Sequence, residues 1–283
     1  MQEVAFIINP YSAGKNYQPF LKALLQRAPE ARFYISESIV GTNEYIKANI
    51  DSTDIFVAVG GDGTISTVAK NIINTNKVLA IFPAGSGNGF SNETKFTKNI
   101  EELLAKIRAK KCRKIDTFTV NDRLSINVSG TGFDGKVVKE FEKTSRGFKN
   151  YIRVSVETFF NYKPIQVNFI TSGYEIHNGS YLMLNIANTR QFGNNAYIAP
   201  KASKSDGLVD IVLVKKFPLH YSLLFAFRMF TKRLRDDSYV KYLPVSEIEF
   251  EVNTRNWHLD GEFQKIDSPV KVVVAPQSLC ILT

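Results

Sequence analysis

Apolar positions follow two different rhythms along this chain. From Val4 to Cys112, short apolar runs alternate with stretches whose apolar residues recur at helical spacing. Residues 4–9 (VAFIIN), 32–36 (RFYIS), 54–60 (DIFVAVG) and 77–84 (KVLAIFPA) predict strands; residues 17–27, 42–50, 64–73 and 99–112 predict helices. This alternation predicts a parallel, doubly wound α/β sheet. The rhythm changes near Asp116. KIDTFTVN, RLSINVSGTG, PIQVNFIT, GSYLMLNIANT, GLVDIVLVKKF, EIEFEVN, WHLDGEFQ and VKVVVAPQSLCILT are strand-like and joined by short turns. They predict a mainly antiparallel second domain of sandwich type, interrupted by helical stretches at about 135–162 and 218–235. The expected division is 1–117 and 118–283, with the extreme C-terminus returning to the first domain. The default site is the cleft between the two.

The breaks between the first strands carry the chemistry. VAVGGDGTIS, residues 57–66, ends a strand in three glycines and one acid. A helix starting near Thr64 points free N–H groups and a positive dipole end at that turn, an arrangement that attracts anions. Asp62 repels a bare phosphate unless a cation accompanies it; the structural alternative is a helix cap. FPAGSGNGF, residues 82–90, is a second such loop, with Gly85, Gly87 and Gly89 alternating with Ser86 and Asn88. INPYSAGK, residues 8–15, is a third, opening on Asn9 at the end of the first strand. A doubly wound sheet brings three such strand ends to one edge, which is more specific than any one motif. None of them is a Walker A loop or a dinucleotide fingerprint.

Composition adds constraints. The chain has 283 residues, 44% hydrophobic and 22% charged, enough to bury a full core. Cys112 and Cys280 form no disulfide framework and fit a reducing compartment. The start MQEVAFIINPYS does not read as a signal peptide, and no run approaches a spanning helix, so a cytoplasmic protein is expected. Lys and Arg outnumber Asp and Glu by 36 to 27, a net charge of +9. Such a balance suits anionic partners: nucleotides, nucleic acid or anionic lipid. No nucleic-acid-binding motif is present, so none is expected as a partner. His177, His220 and His258 lack metal-ligand spacing and read as structural or surface residues.

INPYSAGK, GGDGT and PAGSGN, in that order, resemble the diacylglycerol kinase catalytic domain superfamily, which includes soluble bacterial diacylglycerol kinases, sphingosine kinases and ceramide kinases. KIDTFTV with Asp116, INVSGTGFDGKVV with Asn127, Gly130, Gly132 and Asp134, DGLVDIVLV and LDGE extend the resemblance over nearly the whole chain. It implies ATP-dependent phosphorylation of a lipid hydroxyl, on a diacylglycerol or a sphingoid base for example. The first domain then holds ATP and the second the lipid. Carried over by position, Asn9, Gly60, Gly61, Gly63, Thr64, Gly85, Ser86 and Asn88 bind the nucleotide. Asp62 acts at Mg–ATP, Asp116 orients the acceptor headgroup, and Glu262 is the catalytic base. Asp206, with backbone carbonyls such as that of Leu208, holds a structural Mg²⁺. One departure stands out: where many bacterial members read G-T-G-N-D-F-A-R, this chain reads Gly85-Ser86-Gly87-Asn88-Gly89-Phe90-Ser91-Asn92, closer to the sphingosine and ceramide kinases.

Two competing readings share these residues: an NAD kinase, which also carries a GGDGT turn, and a non-catalytic lipid or nucleotide sensor. A lipid kinase works at a membrane surface, so a peripheral place on the inner face of the membrane and contact with anionic lipid are expected. Two basic, aromatic segments bear on this. Residues 142–163 include Lys143, Arg146, Lys149, Arg153, Phe148, Tyr151, Phe159 and Phe160; residues 217–235 combine Leu223, Leu224, Phe225, Phe227, Met229 and Phe230 with Arg228, Lys232, Arg233 and Arg235. Apolar residues surround much of the second, which predicts that it packs into the C-terminal domain. Oligomeric state, a homodimer included, stays open at this level.

Overall fold

The structure is a computed structural model that describes residues 3–12, 16–85, 87–141 and 148–283. Ser86, Lys143 and Arg146 lie outside the described residues. The chain divides into two compact units, one of residues 1–115 with 277–283, the other of residues 116–276.

The first unit is built on strands β1 (Val4–Ile8), β2 (Arg32–Ile35), β3 (Ile55–Gly60) and β4 (Val78–Pro83), in the order β2-β1-β3-β4 and all parallel. Every residue of β1 and β3 is buried, as expected of a parallel sheet covered on both faces. Its helices are α1 (Gln18–Arg27), α2 (Ile39–Asn49), α3 (Asp62–Ile72), α4 (Gly89–Glu93) and α5 (Ile100–Ala109). Helix α2 begins three residues before the predicted Thr42 because the Ser38 side chain accepts the Gly41 N–H and caps it there. Asn99 caps α5 by accepting the N–H groups of Glu101 and Glu102, two acids that also favour the dipole's positive end.

Strand β5 (Cys112–Val120) leads into the second unit, followed by β6 (Arg123–Ser125) and β7 (Val128–Gly132). Helices α6 (Phe133–Phe141) and α7 (Phe148–Asn161) come next, then strands β8 (Ile165–Phe169), β9 (Gly179–Tyr181), β10 (Met183–Ala187) and β11 (Val209–Val214). Helix α8 (Leu219–Phe230) precedes β12 (Val240–Val245), β13 (Glu247–Val252), β14 (Asn256–Leu259), β15 (Glu262–Lys265) and β16 (Val270–Leu282). One sheet is wholly antiparallel with the order β12-β11-β10-β7-β14-β15. The other contains β9, β8, β13 and the first half of β16, also antiparallel. Their facing sides share one core that includes Phe118, Leu184, Ile211, Phe250, Trp257 and Val270, the sandwich expected from the sequence. The second half of β16 belongs to the first unit, where Cys280 and Ile281 pair in parallel with β4.

Two departures have local causes. RLSINVSGTG reads as one strand but folds as two, β6 and β7, because the N–H groups of Ile126 and Asn127 donate to the Asp260 carboxylate. Strand β12 escapes the pattern because Pro244 interrupts it; as an edge strand it tolerates the missing donor.

Candidate active site

In the first unit, the three polar loops leave the C-terminal ends of the adjacent strands β1, β3 and β4, where ligands of open α/β sheets bind. They are tied to one another. Asn9 Nδ2 donates to Thr64 Oγ1 at 2.9 Å, joining the first loop to the second. Gly61 and Gly85 pack backbone against backbone: a Cβ on Gly85 would lie 2.6 Å from the Gly61 Cα. Asp62 closes the set, its two carboxylate oxygens accepting the N–H groups of Gly89 at 3.1 Å and Phe90 at 3.2 Å.

These contacts explain two features of the loops. Asp62 caps a helix, and that helix is α4 in the neighbouring loop rather than its own α3. The bareness of the loops is also explained by the loops themselves. A side chain on Gly60 would overlap Thr64 Oγ1 at 2.3 Å, and one on Gly85 would also meet Asn88 Oδ1 at 2.9 Å. Asn88 fixes the second loop from inside. It stands in the left-handed region at φ 50°, accepts the Gly85 N–H at 3.0 Å and donates to the Gly85 carbonyl at 2.9 Å. Gly63, one residue into α3, accepts the Thr67 hydroxyl through its carbonyl at 2.9 Å. Thr64 and Asn9 are half-buried, so the edge they line is reached by solvent.

In the second unit, Glu262 opens β15 directly after the two-residue hairpin Asp260–Gly261, and Leu259 pairs with Glu262 across it. Asp260 at φ 52° and Gly261 at φ 87° are both left-handed, the requirement of a type I′ turn and the reason for Asp-Gly here. Asp260 is buried, and its carboxylate accepts the Ser125 hydroxyl at 2.6 Å and the N–H groups of Asn127 at 2.9 Å and Ile126 at 3.2 Å. The hairpin that presents the half-buried Glu262 is thereby fixed to the β6–β7 break.

Asp116 lies under a turn of the second unit. It is 1% exposed, beneath the Asp206 turn: its Oδ2 accepts the Gly207 N–H at 2.7 Å, and its own N–H donates to the Lys204 carbonyl at 2.8 Å. A carboxylate so enclosed holds the turn in place. Asp206 itself is exposed, and its Oδ1 accepts the Leu208 N–H at 3.1 Å. Burial first, and the Asp206 charge second, push Asp210 up to about 6. The acidic side chains of this turn, Asp206 and Asp210, are oxygen donors of the kind a hard cation takes, while among the described residues no group of three or more acidic, His or Cys side chains gathers to hold a metal.

Asn188, absent from the expectations, connects these parts. Fully buried, its Nδ2 donates to the Asp116 carbonyl at 2.8 Å and to the Ile126 carbonyl at 2.9 Å. A chain of hydrogen bonds thus runs from Gly207 through Asp116, Asn188 and Ile126 to Asp260. Its partners lie 62 to 134 residues apart in sequence, beyond any local pattern. The segment flagged at 127–134 is structural too. Asp134, 4% exposed, meets His258 Nε2 at 3.1 Å and also accepts from Asn185, both packed around Gly130. His258 is accordingly a buried structural residue, and His220 is on the surface.

Comparison with known proteins agrees across both units. Residues 3–120 match the family described as the diacylglycerol kinase catalytic domain, and residues 127–283 match the YegS C-terminal NAD kinase beta sandwich-like domain. A diacylglycerol kinase of Bacillus subtilis (strain 168) is 24% identical over 279 residues, covering 93% of this chain and 90% of that protein. A Chromohalobacter salexigens protein named "Probable lipid kinase YegS-like" is 26% identical over 237 residues, covering 80% of this chain and 74% of its own. The crystal structure of a diacylglycerol kinase from Bacillus anthracis str. Sterne superposes with a TM-score of 0.75, covering 99% of this chain and 96% of that one. At 17% identity that last likeness is one of fold.

Proposed function

The chain belongs to the diacylglycerol kinase and YegS-like family of lipid kinases, and we propose that it transfers the γ-phosphoryl group of ATP to the hydroxyl of a lipid such as a diacylglycerol or a sphingoid base. The observation that carries the nucleotide half is the tying together of three glycine-bearing loops at adjacent strand ends, through Asn9–Thr64, Gly61–Gly85 and Asp62–Gly89.

The roles divide by unit. Backbone N–H groups of the glycine loops, with Asn9 and Thr64, bind the phosphates; Asp62 is a positioning residue that keeps the Gly85–Phe90 loop in register with α3. In the second unit the Glu262 carboxylate takes the proton of the lipid hydroxyl as its oxygen bonds to the γ-phosphorus and the bond to ADP breaks. An alcohol gives up its proton late in such a transfer, so a nearby carboxylate of ordinary basicity suffices. The Asp206 carboxylate and the Leu208 carbonyl are the groups that would hold Mg²⁺, with water completing its shell. When bound, Mg²⁺ neutralises negative charge.

The test is incubation of the pure protein with radiolabelled ATP, Mg²⁺ and mixed micelles of diacylglycerols, monoacylglycerols or sphingoid bases. A labelled phospholipid is expected. No product from any of these lipids, with ATP bound but not turned over, overturns the reading and leaves a sensor. NADP⁺ formation in a coupled assay identifies an NAD kinase instead.

A further inference from the structure

Helix α8 has two apolar faces where a surface helix of a globular protein has one. Phe225, 8% exposed, packs inward with Phe217 on the helix-covered side of the six-stranded sheet, and Met229 joins them half-buried. The helix thus packs into the C-terminal domain as expected, but through one of its apolar faces. Leu219, Leu223, Phe227 and Phe230 point away from that core and are 58%, 78%, 54% and 40% exposed. At about 100° per residue the four fall within roughly 80° of each other, a single stripe along the helix. Phe160 of α7, 61% exposed, lies nearby: its ring is 6.2 Å from Phe159, which is 5.5 Å from Phe217 at the foot of α8.

The charges around the stripe are mostly positive. Lys215, Lys216, Arg228, Lys232, Arg233 and Arg235 stand against Asp236 and Asp237 alone. Asp237 pairs with Arg228 at 2.8 Å, and Asp236 accepts the Tyr242 N–H. Lys215, Lys216, Lys232, Arg233 and Arg235 are exposed.

We propose that this face of α8 docks on an anionic lipid bilayer, with Leu219, Leu223, Phe227 and Phe230 inserted at the interface and the flanking cations at the headgroups. The proposal rests on the lipid-kinase reading above and names the surface through which the acceptor is approached. An apolar stripe bordered by Lys and Arg is the composition of a helix that lies in a membrane interface. A helix of twelve residues, about 18 Å long, is too short to cross, and no helix among the described residues is long and apolar enough to do so. Charge selects the bilayer over a second copy of the chain, since a two-fold pairing would set the same basic segment against itself.

Vesicle cosedimentation without nucleotide tests this, using phosphatidylcholine alone and phosphatidylcholine mixed with phosphatidylglycerol. The protein is expected to bind the mixed vesicles and to lose affinity at high salt. Leu223→Glu with Phe227→Glu lowers partitioning at least about tenfold. Arg233→Glu with Arg235→Glu lowers it on the order of tenfold on anionic vesicles and little on neutral ones. In a second measurement, the indole of Leu223→Trp is quenched by brominated acyl chains. Unchanged partitioning of both double variants, or an unquenched indole, overturns the proposal even where lipid phosphorylation is intact. A dimer that the Leu223→Glu, Phe227→Glu variant converts to monomer with vesicle binding unaltered also overturns it. Vesicle binding through α8 without phosphorylation of any lipid leaves the docking surface standing and refutes the kinase reading.

Discussion

The Asp-Gly turns of the two units use the same dipeptide for opposite backbone shapes and the same purpose. Asp62–Gly63 starts a right-handed helix; Asp260–Gly261 turns a hairpin through two left-handed residues. In both, the carboxylate leaves its own turn and accepts N–H groups from a segment distant in sequence: Gly89 and Phe90 for Asp62, Ile126 and Asn127 for Asp260. In both, the residue two positions on, Thr64 or Glu262, is half-buried and carries the role proposed above. They differ in depth. Asp62 is half-buried with two N–H donors; Asp260 is 6% exposed and adds the Ser125 hydroxyl at 2.6 Å. An Asp in a glycine turn is thus not by itself a catalytic acid; what it holds in place is the better guide to its role.

Substitutions sharpen that contrast, and the largest effect is expected just beyond the second turn. Glu262→Gln lowers kcat by about 10²–10⁴ while the thermal midpoint stays put, as removal of a proton acceptor does. Equal loss of stability would make Glu262 structural and blur the distinction. Asp260→Ala strands three buried donors and is expected to cost about 3–5 kcal/mol, lowering Tm by roughly 10 °C in calorimetry. A shift under about 3 °C would break the comparison at its deeper end. Asp62→Asn keeps the shape but weakens charge-assisted acceptance of two N–H groups, for about 1–3 kcal/mol. It should raise the dissociation constant for ATP by more than it lowers Tm; titration calorimetry beside thermal melts reads both. Asn9→Ala removes one part-buried hydrogen bond and should cost about 1 kcal/mol, seen as a roughly fivefold weaker nucleotide affinity with vesicle binding unchanged.

Much of this was legible in the chain because it is written locally. Strands β1, β3 and β4 are unbroken apolar runs, and the glycine-bearing loops follow them directly. The LDGE hairpin announces itself through the chemistry of its turn. What stayed hidden depends on distant partners. Nothing near Asn188 or Asp116 signals that the two join the Asp206 turn to the Glu262 turn, because their partners come from other strands. Nothing near Ile126 signals that its N–H leaves the sheet for Asp260. Helix α8 was legible in part: apolar residues around much of its circumference predicted packing into the C-terminal domain, which Phe225 and Met229 do, but composition alone does not say which apolar face stays exposed.

The ending of β16 carries a consequence for the order of events during synthesis. Leu279, Ile281 and Leu282 are buried in the first unit, where Cys280 and Ile281 pair with β4. The unit that begins at the N-terminus therefore lacks one of its strands until the intervening 116–276 segment has been translated. A ribosome that stalls in that segment holds a nascent α/β layer whose β4 flank awaits residues not yet made. That exposed flank is a hazard for aggregation and a reason for chaperones to attend the chain late.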